Sequence, residues 1–390
     1  MPSRQRSFAA QNSASTMEIA IIGAGIGGLT TAIALKHANI PYRIYEAAPE
    51  LKPVGAGIIL ANNAMQVLRH LGVDGKVIKH GNRISMIHLT RPDLKPLSTT
   101  DLHLFEAKFK VFNLAIHRSD LHNILAGEAG YQNISLNKRV KNIIAEKNNY
   151  HIEFEDGTTC GHEYVMAADG LRSKVRTILF EENELRNSGQ LCWRGVTNLS
   201  VPGKYEHEAN EAWGKGKRFG FVKLNDKQVY WYFVLNEEMA GNTTDIRPFL
   251  GDFHPLVRDI VDTTPQESIN IAPLLDLKPF NNWFKENLCL LGDAAHATTP
   301  NLGQGACQAI EDAYVLGELL KKHSIKKAFE LYPQLRREKT HEIVNVSWKI
   351  GKLSHLKNPL GIALRNFIMR ITPARITNKQ LEKIFTLDKL

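Results

Sequence analysis

Cysteine is scarce in this chain: four residues among 390, Cys160, Cys192, Cys289 and Cys307, with no C-x-x-C pair. No Cys/His cluster has the spacing of a zinc site, which argues against a metal-held or disulfide-stapled fold. Scattered thiols in a chain of this length suit a reducing, cytoplasmic setting. Long apolar runs are also missing. The uncharged stretch Ile19–Leu35 is broken by glycines and is short for a membrane span, so a strand, a turn and a buried helix explain it better. The first 16 residues contain no acid and no apolar h-region, which excludes a secretory signal; a disordered extension ahead of Met17 is expected.

Composition places the rest among globular proteins, with 43% hydrophobic and 23% charged residues. The net charge of +9 is uneven: Lys321–Leu390 holds 16 Lys or Arg against 5 Asp or Glu. That segment offers a surface for weak contact with an anionic membrane or a partner, although a solvated helical face is the plainer reading. No nucleic-acid-binding motif accompanies it.

The chain reads as an α/β unit interrupted by a β-rich one. Glu18–Ile22 and Pro41–Tyr45 read as strands flanking a helix over Gly27–His37, and Asn62–Leu71 as another helix. Ser119 is a candidate N-cap for a helix from Asp120 to Glu128. Ile134–Ile144 and Tyr150–Phe154 alternate like antiparallel strands joined by a turn at Lys147-Asn148-Asn149, and Tyr164–Ala168 is a short strand. Aromatic-rich strands fill Gln190–Leu235, Leu288–Leu291 returns to a buried strand, and everything after Gly303 is helical, punctuated by Pro333, Pro359 and Pro373. The expected division is an extension over 1–16, a discontinuous dinucleotide domain over 17–180 and 280–325, a β-rich substrate domain over 181–279, and a helical region over 326–390.

Gly23-Ala-Gly25-Ile-Gly27-Gly28 fits G-x-G-x-x-G between a strand and a helix. Gly23 permits a tight turn, Gly25 a close approach to a pyrophosphate, and Gly28 close packing of helix on sheet. The helix N-terminus presents free N–H groups to the phosphates. Glu46 ends the second strand about 20 residues on, where an acid binds ribose hydroxyls. This much does not separate FAD from NAD. Two later stretches do: Ala167-Ala168-Asp169-Gly170-Leu171-Arg172-Ser173, and Leu291-Gly292-Asp293-Ala294-Ala295-His296 followed by Pro300 and Gly303-Gln304-Gly305. A strand ending in Gly-Asp offers a carboxylate to a ribityl hydroxyl, and a glycine-opened helix offers N–H groups to a reduced flavin. Taken alone, Asp169 and Asp293 also fit plain turn or capping roles.

With these three stretches in order, the chain resembles the group A flavoprotein aromatic hydroxylases, which have the para-hydroxybenzoate hydroxylase fold. The likeness is to the branch containing salicylate, 3-hydroxybenzoate and urate hydroxylases and zeaxanthin epoxidase, and covers about Met17 to Arg375. It implies one FAD, with Glu46 at the adenosine ribose, Asp293 at the ribityl chain, Arg118 near the FAD linker and the Asp169-Gly170 segment serving both FAD and the nicotinamide. It also implies NADH or NADPH as co-substrate, and hydroxylation by O2 through a flavin C4a-hydroperoxide. The substrate would be a small aromatic or heteroaromatic molecule and the protein a monomer or homodimer. Arg218 and Tyr230, 12 residues apart, are similar in spacing to the pocket pair of the urate hydroxylases. A sheet-surface arginine and a core tyrosine explain them equally well. His296 reads as a turn residue and Trp193 as core or pocket wall.

No second G-x-G-x-x-G follows a strand; Gly214, Gly216 and Gly220 have the wrong spacing. The nicotinamide therefore has no domain of its own. A flavin halogenase is disfavoured by the lack of a Trp-x-Trp-x-Ile-Pro stretch. An alkene epoxidase and a non-catalytic flavin-binding protein remain as alternatives.

Overall fold

The computed structural model describes residues 18–51, 56–147, 149–182 and 184–390; the expected N-terminal extension and Asn148 of the expected turn lie outside them. Four sheets organise the chain. The first has six strands in the order Phe284–Lys285, Leu288–Leu290, Tyr164–Ala167, Ile19–Ile22, Tyr42–Tyr45, Ile134–Ser135. All neighbours run parallel except the hairpin at its edge. Its central strand is wholly buried, as a parallel sheet covered on both faces requires. The chain leaves this sheet after Ala167 and re-enters at Phe284.

The glycine-rich helix, Ile26–His37, is apolar almost all round. It is sandwiched: Gly27 faces Ala309, and Gly317 faces Ala34, where an added Cβ would come within 3.0 Å. Both partners belong to the helix Gly305–Lys322, so small residues let two buried helices approach closely.

The second main sheet has seven strands in the order Asn270–Leu277, Leu185–Thr197, Val229–Asn236, Lys217–Lys223, Glu208–Trp213, Met86–Thr90, Pro96–Asp101. The last two come from within the segment expected to be purely nucleotide-binding, and Met86–Thr90 pairs parallel with Glu208–Trp213. Such a long-range parallel pairing leaves no local turn signal in the sequence. One face carries Trp193, Phe219, Phe221, Trp231 and Phe233 against the helix Pro255–Asp262. Phe219 and Trp231 stack at 5.7 Å, and the indoles of Trp193 and Trp231 donate to Thr244 O and Thr264 Oγ1. Trp193 is thus core. The other face carries Arg194, Arg218, Tyr230 and Tyr232 together with Cys192, Val196, Val222 and Val234.

Three local expectations differ. Ile134–Ile144 is not one strand: Ile134–Ser135 joins the parallel sheet, while Val140–Glu146 pairs antiparallel with Asn149–Phe154. The helix expected from Asp120 starts at Arg118, capped by the His117 side chain, whose Nδ1 accepts from Ser119 N. Pro333 does not stop a helix: Ile325–Ser354 runs through it. Burial of Phe329, Tyr332 and Pro333 outweighs the single backbone hydrogen bond the proline forfeits.

Behind the first sheet, Arg336 clamps the C-terminal helices. It is fully buried and donates to Asp312 Oδ1 and Glu311 Oε2 at 2.8 Å and to Asp388 Oδ2 at 2.7 Å. His296 belongs here: its Nε2 lies 2.6 Å from Asp312 Oδ2, which also accepts from Gly292 N. It holds the Gly292 turn from behind.

Candidate active site

The candidate residues gather at the carboxyl ends of four parallel strands, where open α/β sheets leave a crevice. Ile22 runs into Gly23, Tyr45 into Glu46, Ala167 toward Asp169, and Leu290 toward Asp293. The glycines do different work. Gly23 sits at φ +102°, and a Cβ there would lie 2.5 Å from Ala168 O. A Cβ on Gly28 would lie 2.0 Å from Gly23 O, so the helix rests on its own turn. Gly25 has nothing within 4 Å of its Cβ position and is exposed, facing open space at the helix N-terminus.

The Glu46 carboxylate is oriented by two backbone donors, Ala24 N at 2.6 Å and Ala48 N at 2.8 Å. His122 Nε2, 2.7 Å from Ala24 O, ties the same turn to the helix that Arg118 opens. Asp169 Oδ2 accepts from Lys174 N and Val175 N, at 2.8 and 3.2 Å. It caps the next helix, and Gly170 at φ +82° turns the chain between them.

Asp293 is the most telling group. Protein surrounds it closely enough for burial to raise its pKa, against the pull of His296 and Arg118. Its side chain is nonetheless exposed and makes no hydrogen bond among the described residues. Its carboxylate can therefore be reached from outside the fold. Gly305 is beside it, with its Cβ position 3.9 Å from Asp293 Oδ1, and Pro300 and Gly303 are exposed along the same rim. A carboxylate without a hydrogen-bond partner among the described residues, next to open glycines and a helix N-terminus, suits a polyhydroxylated chain and a phosphate-bearing ligand.

Across the crevice stands the face of the large sheet that carries Arg194 and Tyr230. Tyr230 packs on Gly57, where an added Cβ would be 2.4 Å from the ring. Burial pushes its phenol up in pKa, while the positive charges of Arg194 and Arg118 pull it down. Arg218, paired with Tyr230 by spacing, is buried and held by protein groups. Its Nη1 donates to Glu211 Oε1 at 3.0 Å, its Nη2 to Asn301 Oδ1, and Glu211 Oε2 accepts from Tyr232 Oη at 2.8 Å. Its charge is thereby neutralised by protein, and it bridges the sheet to the Pro300 turn. Arg194, on the same face as Tyr230 and Tyr232 and beside Cys192, has no ion pair with a carboxylate among the described residues. For Arg194 the usable sequence signal is two-residue alternation, which puts it on the face opposite Trp193. Which face mattered depended on its register with Tyr232.

Residues 16–338 match the model of the family described as FAD binding domain. The chain is 33% identical over 361 residues to aurachin C monooxygenase/isomerase of Stigmatella aurantiaca, spanning 91% of this chain and 94% of the relative. It is 31% identical to 2-heptyl-3-hydroxy-4(1H)-quinolone synthase of Pseudomonas aeruginosa, over 95% of this chain and 98% of the relative. In fold it is similar to Klebsiella pneumoniae HpxO crystallised with FAD and uric acid, with a TM-score of 0.86 at 24% identity, covering 94% and 96% of the two chains. The chain belongs to the FAD binding domain family and is an FAD-dependent monooxygenase of the para-hydroxybenzoate hydroxylase fold.

Proposed function

We propose that this monooxygenase hydroxylates a nitrogen heteroaromatic ring of the quinolone type, with Arg194 and Tyr230 holding an oxygen substituent of that ring. A relative at 31% identity is named as a 2-heptyl-3-hydroxy-4(1H)-quinolone synthase, which supports the substrate class. The observation that carries the reading is Arg194: a cation without a carboxylate partner beside a protonated phenol, on the wall facing the crevice.

FAD, when bound, supplies the redox chemistry, accepting hydride from NADH or NADPH and activating O2 so that one oxygen atom reaches the ring. The protein's part is positioning and exclusion. The turn Gly23–Gly28 and its helix N-terminus would receive the pyrophosphate, with Gly25 leaving room. Glu46, already oriented by two amides, would bind the adenosine ribose, and Asp293 a ribityl hydroxyl. Arg118 would lie by the linker, and Asp169-Gly170 and the Pro300–Gly305 segment would border the flavin. Ring attack by an electrophilic oxygen is favoured when the ring is electron-rich. Arg194 would stabilise negative charge on the ring oxygen, while the Tyr230 hydroxyl, kept protonated by burial, donates to the same atom. Arg218 would fix the shape of this wall through Glu211 and Asn301.

The test is a screen of 4-quinolones, hydroxybenzoates and purines for stimulation of NAD(P)H oxidation by purified holoprotein, with product mass as readout. The reading expects a quinolone that gains one oxygen. Stimulation and oxygenation confined to hydroxybenzoates or purines would overturn the substrate class.

A further inference from the structure

The C-terminal helices present an apolar face that the fold leaves bare. On the helix Pro359–Ile371, Leu360, Leu364, Phe367, Ile368 and Ile371 are each between 50% and 81% exposed. At 100° per residue these five fall within an arc of about 100°, one continuous stripe. Leu353, at the end of the preceding helix, and Ile376, at the start of the next, are exposed as well. The opposite side of the helix is anchored. Arg365 is buried, with its guanidinium over the Trp213 ring at 5.2 Å and its Nη1 donating to the Leu353 and Ser354 carbonyls. The bare stripe is therefore held facing outward.

Along the chain the stripe is bracketed by charge of one sign, although Glu238, from another part of the fold, pairs with Lys357 just before the helix. Between Ile343 and Leu381 there is no Asp or Glu, whereas Lys349, Lys352, Arg370, Arg375 and Lys379 are exposed. We infer that this helix is an interfacial anchor that seats the enzyme on an anionic lipid bilayer, with the apolar stripe in the acyl boundary and the basic flank among the headgroups. An amphipathic helix with an apolar face and a cationic flank binds in this manner. Among the described residues no helix is long and apolar enough to cross a membrane, so the contact is superficial. A second copy of the chain fits the surface poorly. A twofold interface on this stripe would bring the two basic flanks together.

The experiment is flotation of full-length holoprotein with vesicles of phosphatidylcholine alone or mixed with phosphatidylglycerol, at low and high salt. The protein should float with the mixed vesicles at low salt and stay behind with neutral ones. Leu364→Glu combined with Phe367→Glu should lower partitioning by at least about tenfold. FAD content, thermal midpoint and NAD(P)H oxidation in free solution should be unchanged. Arg370→Gln and Arg375→Gln should each weaken binding about fivefold at low salt. Failure of the unmodified protein to bind mixed vesicles would overturn the inference, as would equal binding by the glutamate variant. A dimer that this variant converts to monomer, without vesicle binding, would assign the face to a second copy. None of these readouts depends on the identity of the oxygenated substrate.

Discussion

Asp293 carries the cofactor assignment at the level of single residues. Its carboxylate is exposed and has no hydrogen-bond partner among the described residues, so removing it should cost the fold little and the ligand much. Asp293→Ala should weaken FAD binding by about 1–3 kcal/mol, read by flavin fluorescence on reconstitution of apoprotein. Unchanged affinity would move the ribityl chain elsewhere. The two arginines separate by their partners. Arg194→Ala should raise KM for the true substrate or lower kcat with FAD fully retained. Arg218→Ala removes the partner of a mostly buried Glu211 and should lower stability by about 2 kcal/mol in denaturant titration, whatever the substrate. Equal stability of the two variants would contradict that division. His355 gives a pH signature. Burial and then Arg218 hold its pKa down at about 3, so it is neutral in the fold and charges on unfolding. Its contribution to stability is complete above about pH 6.5 and is lost as pH falls toward 3, at up to about 1.4 kcal/mol per pH unit. His355→Gln should flatten that part of the stability curve; an unaltered slope would show that other groups set it.

Two glycines three residues apart at one turn respond differently to the same methyl group. Gly25→Ala meets open space and an ordinary negative φ, so the protein should fold with an unchanged thermal midpoint yet lose bound FAD. Gly28→Ala drives its methyl into the Gly23 carbonyl and should lower the midpoint itself. Absorbance at the flavin band together with thermal melts distinguishes the two; a full complement of FAD in Gly25→Ala would contradict the pyrophosphate placement. These elements were legible in the sequence because their chemistry is local. The glycine turn, Glu46 and the Gly292-Asp293 strand end each declare themselves within a few residues. The polar wall was not local. Its makeup depends on which residues of three strands share a face, on Met86–Thr90 joining the sheet in parallel, and on Glu211 reaching Arg218. The Arg218–Tyr230 spacing puts both residues on one face of one sheet, but spacing alone does not reveal that Arg218 is paired with Glu211.

The whole molecule joins a sheet that positions a dinucleotide to a sheet that presents a polar wall, with no further nucleotide-binding motif for the nicotinamide. Hydride transfer must then occur in a transient docked complex, and an always-reducible cofactor would waste NAD(P)H. Contacts of the substrate with the Arg194–Tyr230 wall can favour the reducible arrangement. A tenfold acceleration needs only about 1.4 kcal/mol, within reach of one charge-assisted hydrogen bond. Anaerobic stopped-flow should show slow loss of the oxidised flavin band with NAD(P)H alone and at least about tenfold faster loss with substrate. Equal rates would place control at another step and leave the reaction class intact. The central claim, that the chain transfers one atom of O2 to a heteroaromatic ring, is tested most directly by turnover under isotopically heavy O2. The purified yellow holoprotein, NAD(P)H and a quinolone should yield a product carrying a single heavy oxygen atom. A product whose added oxygen comes from water, or NAD(P)H consumption that ends only in hydrogen peroxide across the whole substrate screen, would contradict it.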